Sequence, residues 1–230
     1  MDIKGKNAIV TGVSKGIGFA TVKMLVEHGV KVIGWGRTKP DFEHELFNFV
    51  ETDVSDLESV ESSYEKTVEL VGKDIQILVN NAGLGHQGKF EELDVKQWIE
   101  MFDTNVHGIF YITRLLIPRM KEIGEGHIIN ISSIAGTTGI ETMAGYAATK
   151  HAVNGISHSL YKEVRQFGIK VTNIMPGSVQ TNFFDSIDSV TANDNMMKPE
   201  DIAETITQVL STSANYHHVD IEVRPLKPKG

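Results

Sequence analysis

The sequence has no cysteine. Disulfides, thiolate chemistry and cysteine-rich metal sites are excluded together, which suits a protein that folds in a reducing cytosol. Long hydrophobic runs are also missing: no stretch approaches the roughly 18 apolar residues of a membrane span, so a non-membrane, soluble chain is expected. Met1 to Lys6 lead straight into the short strand-like run Asn7–Val10. A secretory signal would instead follow its basic start with an apolar run of about 7–15 residues, so no export is expected and the expected location is cytoplasmic. Positive charge is scarce, with 22 Lys and Arg against 30 Asp and Glu, a net charge of −8. General binding to a phosphate backbone needs a positive field, so nucleic acid is not an expected partner, although a local basic pocket stays open. His86, His107, His151, His158 and the His217-His218 pair lack metal-ligand spacing, and no H-E-x-x-H occurs, so no metal is expected.

What is present is enough for a full core, with 40% hydrophobic residues in 230. Short β-branched runs at Asn7–Val10, Lys31–Ile33, Phe49–Thr52, Ile75–Val79, His127–Ile131, Lys170–Ile174 and Asp220–Val223 alternate with segments of helical period. The helical segments are Ile17–His28, Ser59–Val71, Val95–Ile123, Gly145–Phe167 and Pro199–Ser211. Alternation of this kind predicts βαβ units and a doubly wound α/β fold, a parallel sheet of about seven strands with helices on both faces. No linker or composition break divides residues 1–230, so a single domain is expected. Thr38–Asn48 is too brief and interrupted for a full helix. The polar, aperiodic stretch 179–198 reads as a functional loop, in which Phe183, Phe184, Met196 and Met197 either line an apolar lid or pack the loop onto the body.

Thr11-Gly12-Val13-Ser14-Lys15-Gly16-Ile17-Gly18 joins the first strand to the first helix. Glycines there let the backbone turn sharply and approach a pyrophosphate, which the N–H groups and partial positive charge of the helix start then receive. The alternative is a glycine turn needed only for tight packing. Tyr146 and Lys150, four apart, share one face of a helix. A phenol of ordinary pKa near 10 becomes a useful acid/base only beside a cation that stabilises its phenolate, and Lys150 is spaced to supply one. Ser132 and Ser133 end the strand His127–Ile131, at the sheet edge where such folds place ligands. Asn105 sits inside a helical segment at a cost that invites an explanation.

The order of these elements resembles the short-chain dehydrogenase/reductase family, in its compact one-domain, Rossmann-like form. The matching motifs are T-G-x-x-x-G-I-G over Thr11–Gly18, N-N-A-G at Asn80–Gly83, Asn105, Ser133, Y-x-x-x-K at Tyr146 and Lys150, and P-G at Pro176-Gly177 leading to Thr181. The resemblance implies hydride transfer between a nicotinamide and a carbonyl or alcohol, with Tyr146 moving the proton. It implies that Ser133 bonds the substrate oxygen, with Ser132 as runner-up, and that Lys150 also holds the nicotinamide ribose. It further implies that the Asn105 carbonyl holds a proton-relaying water, that Asn80 and Gly83 border the cofactor, and that Thr181 contacts the carboxamide. Gly12, Ser14, Lys15, Gly16, Ile17 and Gly18 would cradle the pyrophosphate, and Asp53-Val54 would contact adenine.

NAD-selective members carry an acid at the end of the second strand, where this chain has Gly36 followed by Arg37. With Lys15 in the glycine turn, two cations suit a 2′-phosphate, so NADP(H) is expected over NAD(H). The resemblance implies a homo-oligomer, tetramer or dimer, through Val95–Ile123 and Gly145–Phe167. Two other readings stay open: a 3-oxoacyl-(acyl-carrier-protein) reductase with Lys162 and Arg165 in a carrier-binding patch, and a non-catalytic NADP-binding regulatory protein.

Overall fold

The computed structural model describes residues 2–181 and 193–227. Seven strands form one sheet: β1 (Asn7–Thr11), β2 (Lys31–Gly36), β3 (Phe47–Glu51), β4 (Ile77–Asn80), β5 (Gly126–Ile131), β6 (Ile169–Pro176) and β7 (Asp220–Val223). Their order is β3-β2-β1-β4-β5-β6-β7 and every neighbouring pair is parallel. The fold is the doubly wound Rossmann-like α/β arrangement. The winding reverses between β1 and β4, which opens a crevice at their carboxyl ends.

Parallel strands are covered on both faces and so read as continuous apolar runs; every residue of β6 is buried. Side chains of one strand alternate between the two cores. Ala8 and Val10 join Leu25 and Val26 of α1 (Gly16–Glu27) and Ile202 and Ile206 of α6 (Pro199–Leu210). Ile9 points the other way, with Val60 of α2 (Leu57–Val71) and Ile112 and Leu116 of α4 (Gly108–Ile123). No helix among the described residues is long and apolar enough to cross a membrane.

Three departures from the sequence reading have physical causes. First, β2 runs past Ile33 through Gly34 to Gly36, although its glycines resemble a turn. A methyl on Gly34 would meet the Phe47 ring at 2.7 Å and Val13 at 2.8 Å, so glycine is a packing requirement there. Second, the segment Val95–Ile123 is not one helix: α3 (Val95–Phe102) and α4 are joined by a π turn at Asp103–His107. Third, α5 (Ala144–Val164) passes into a 3-10 turn over Arg165–Phe167. As expected, no helix forms over 38–48; Phe42 instead anchors that connection, edge-on to Phe19 at 5.8 Å and against Phe47 at 5.6 Å.

Candidate active site

The crevice is built outward from the glycine turn. Gly12 and Gly16 adopt φ of +70° and +61°, left-handed values that side chains disfavour. A methyl on Gly18 would stand 2.2 Å from the Gly12 carbonyl oxygen, so this glycine lets α1 approach the turn. Lys15 enters α1 in extended backbone without a side-chain cap, and no acid occupies the first turn. The first N–H groups of the helix are therefore not used by a cap. Asn81 fixes the turn from the neighbouring strand: its Nδ2 donates to Thr11 O at 2.9 Å and Gly12 O at 3.2 Å. In return Thr11 Oγ1 accepts from the amides of Asn81 and Ala82 at 3.0 and 2.9 Å.

A cleft of about 580 Å³ runs along this edge, of a size that suits a small-molecule ligand. Gly12, Ser14, Lys15, Gly16 and Ile17 line it, with Arg37, Asp53 and Val54 toward the outer strands β2 and β3. Gly83, Pro176, Gly177 and Thr181 line the middle, and Ser133, Tyr146 and Lys150 the β5 side. Thr181 folds back on the glycine turn, where a methyl on Gly16 would lie 3.3 Å from its Cγ2. Burial opposes ionisation of Asp53, but Ser55 hydrogen bonds and the Arg37 charge outweigh it and hold the carboxyl below its ordinary value.

Tyr146 and Lys150 lie in the first turns of α5, only 9% and 6% exposed. The Tyr146 hydroxyl hydrogen-bonds Ser133. The Lys150 ammonium lies 5.6 Å from the centre of the tyrosine ring and donates to Ile131 O at 2.8 Å. Burial pushes Tyr146 up to about 12 and Lys150 down to about 8. The bond to Ser133 opposes the rise at Tyr146, rather than the lysine charge anticipated from the spacing, because Lys150 turns its ammonium to a backbone carbonyl. Between the two serines the geometry is clear. Both border the cleft, but Ser132 donates to Asn154 Oδ1 at 2.6 Å, whereas Ser133 is the one beside the tyrosine hydroxyl.

Gly18, Asn80 and Asn105 do not line the cleft. Gly18 serves packing. Asn80 is buried and donates to Asn130 Oδ1 at 2.8 Å and Thr113 Oγ1 at 3.3 Å, bracing the sheet centre. Asn105 sits in the π turn, where its Oδ1 accepts from Leu84 N at 2.9 Å and its Nδ2 donates to Leu84 O at 2.8 Å and Thr149 Oγ1 at 3.0 Å. It therefore clamps the loop after β4 against α5. The widened turn explains an asparagine in helical surroundings. Asn154, mid-helix in α5 and buried, carries the same signal and was not singled out by sequence; it joins Ser132, the Gly136 carbonyl and Asn173.

One sequence expectation changes and one open alternative is narrowed. Lys162 and Arg165 follow Tyr146 by more than four helical turns, roughly 24 Å at 1.5 Å per residue, and lead into the start of β6. They belong to the opposite sheet edge and cannot flank the cleft entrance. In the loop 179–198, Val179 pairs with Met197, and Met196 and Met197 pack against the body. Phe183 and Phe184 lie outside the described residues.

A doubly wound sheet with a glycine turn, and a Ser-Tyr-Lys group across the cleft from it, define an oxidoreductase of the α/β class. The family described as short chain dehydrogenase matches residues 6–192, and the chain belongs to that family. It is 34% identical over 232 residues to an uncharacterized oxidoreductase of Staphylococcus haemolyticus, covering 98% of this chain and 99% of the relative. A closed-form serine dehydrogenase complexed with NADP+ superposes with a TM-score of 0.88 at 30% identity, over 94% of each chain. A 3-ketoacyl-(acyl-carrier-protein) reductase from Brucella melitensis complexed with NADH gives 0.87 at 28% identity, over 97% of this chain and 98% of that one.

Proposed function

We propose that the protein is an NADP(H)-dependent carbonyl reductase in which Tyr146 is the proton donor, Ser133 holds the substrate oxygen and Lys150 stabilises the phenolate. One observation carries it: at the ligand-binding edge of the sheet, the buried Tyr146 hydroxyl shares a hydrogen bond with Ser133 while Lys150 stands behind the ring. Two hydroxyls so placed converge on one carbonyl oxygen, where negative charge develops as the carbonyl carbon is reduced. With Tyr146 pushed up to about 12, the phenol is protonated at neutral pH and set to give its proton. In the alcohol-oxidising direction the same oxygen takes a proton back. Lys150, down to about 8, still carries most of its charge at pH 7, and from 5.6 Å off the ring centre its field favours the phenolate left after transfer. Nicotinamide, when bound, supplies the hydride; the chain supplies orientation and the proton.

Residues of the chain fit the dinucleotide. The uncapped start of α1 and the glycine turn suit a pyrophosphate, and Lys15, Arg37 and Gly36 border one cleft in which no acid stands at the end of β2. One related structure holds NADP+ and another NADH, so the preference for NADP(H) rests on Arg37 and Lys15. Gly18, Asn80 and Asn105 are positioning residues, and Asp53 and Val54 border adenine. Exposed Val95, Ile99 and Phe110 on α3 and α4 support assembly with further copies, which light scattering tests.

NADPH oxidation over a panel of diketones, aldehydes and ketones, beside NADH and a Tyr146→Phe variant, tests the reading. Tyrosine-dependent turnover with NADPH preferred supports it. Tight NADPH binding without turnover of any compound overturns it.

A further inference from the structure

Among the described residues, three of the ionisable side chains that line the cleft sit toward the coenzyme. Lys15 is in the glycine turn, Arg37 follows β2 and Asp53 follows β3. The other two are Tyr146 itself and Lys150, whose Nζ bonds the Ile131 carbonyl and lies 3.7 Å from where a Cβ on Gly83 would stand. Its charge is therefore turned toward β4 and β5, away from the wall beyond the tyrosine.

That wall is Leu84, Ile134, Ile140, Met143 and Val179 with the backbone of Gly85, and no ionisable side chain among the described residues joins it. Behind it Met101, Ala135, Met143, Tyr146 and Ala147, with Leu84 and Leu93 against them, form an apolar cluster separate from the two main cores. Ile140 borders the cleft yet is 41% exposed, an apolar surface that the described chain leaves uncovered. Two polar side chains on the neighbouring segments do not help an anion. His86 is bonded at 2.9 Å to Glu100 of α3, and Glu141, next to Ile140, is itself acidic and exposed.

We propose that the substrate is an uncharged carbonyl compound with apolar groups flanking the carbonyl, and that carboxylates and zwitterions are rejected. This rests on the reductase reading above. A carboxylate beside the reacting carbonyl would lose its water on this wall and meet no cation there among the described residues, a far larger cost than apolar contact returns. Each added methylene on a neutral substrate removes apolar surface of Ile140 and Met143 from water instead.

The test compares kcat/KM with NADPH for ethyl acetoacetate and for acetoacetate, which carry the same keto group with and without charge. We expect the ester to lead by on the order of 100-fold, and each methylene added to its ester chain to raise kcat/KM by about 4-fold until the pocket fills. Ile140→Lys, with NADPH affinity unchanged as evidence of an intact site, narrows the ester-to-acid ratio by about 10-fold or more. Equal, Tyr146-dependent reduction of ester and acid overturns the substrate class and leaves the reductase reading standing. No reduction of ester, acid or any longer neutral homologue overturns both.

Discussion

The two sides of the cleft are made of different material. Toward β1, β2 and β3 it is backbone and fixed charge: Gly12 and Gly16 in left-handed φ, an uncapped helix start, Lys15 and Arg37. Beyond Tyr146 it is interchangeable aliphatic surface, Leu84, Ile134, Ile140 and Met143. A pyrophosphate imposes the same demands on any chain that binds it, whereas an apolar substrate asks only for shape. One side is therefore constrained to a motif and the other is free to vary.

The sharpest way to break this division is to remove chemistry without removing binding. Tyr146→Phe deletes the proton donor but keeps the ring in its apolar cluster. We expect kcat to fall by about 1,000-fold with NADPH affinity unchanged, measured by stopped-flow turnover and by fluorescence titration. A matching loss of NADPH affinity would mean the tyrosine serves the coenzyme side as well. Arg37→Ala strikes the other side. It should weaken NADPH by about 10-fold to 100-fold, leave NADH affinity nearly alone, and not alter the ester-to-acid ratio. An unchanged NADPH affinity would remove Arg37 from phosphate recognition.

The same division governs what could be read from sequence. The parallel sheet of about seven strands was legible from the alternating βαβ periodicity, and the glycine turn from the placing of Gly12, Gly16 and Gly18 between the first strand and the first helix; the strand order came from the structure. Ser133, Tyr146 and Lys150 were legible through the order of motifs that resembles the family, since their spacing alone is weak, and all three line the cleft. Asn105 was noticed for its helix cost, but its bonds to Leu84 and Thr149 depend on a π turn that a continuous apolar period conceals. The family's N-N-A-G motif put Asn80 at the cofactor rim as a chiefly structural residue; strand alternation turns it inward and leaves Asn81 at the glycine turn. Of the substrate wall, Leu84, Ile134 and Met143 could be placed near the pocket from sequence, because they follow the N-N-A-G element, follow Ser133 and precede Tyr146; Ile140 was not singled out and reads like any core residue until the fold exposes it.

Between the two sides stands Lys150, and pH exposes its part. Burial lowers it to about 8, so the ammonium is complete at pH 6 and is lost as pH rises through that value. Tyr146, at about 12, keeps its proton throughout this range. We therefore expect kcat/KM for NADPH to be flat below about pH 7 and to fall about tenfold per unit well above 8. In Lys150→Arg the guanidinium does not titrate, so whatever activity survives should lose that descending limb. A limb that stays at the same pH in the variant would assign it to another group.

The smallest effect concerns how the substrate wall is held. Thr142, between Ile140 and Met143, is the only non-glycine among the described residues with positive φ, +63°. A β-branched residue there carries strain of about 1–2 kcal/mol. The strain is matched by bonds that tie the loop after β4 to the entry of α5: Gly88 N donates to Thr142 O at 2.9 Å, and Gln87 Nε2 donates to Thr142 Oγ1 at 2.8 Å. Thr142→Gly relieves the strain, but it loosens the unfolded chain by about 0.5–1 kcal/mol and loses a hydrogen bond worth about 1 kcal/mol. These terms nearly cancel, so the melting temperature should move little. With the Gln87 half of the clasp gone, KM for the carbonyl substrate should rise a few-fold while NADPH affinity stays put, and Thr142→Ser, which keeps the hydroxyl, should restore it. A KM that does not move, or an NADPH affinity that moves with it, would show that the clasp serves the scaffold and not the apolar side of the cleft.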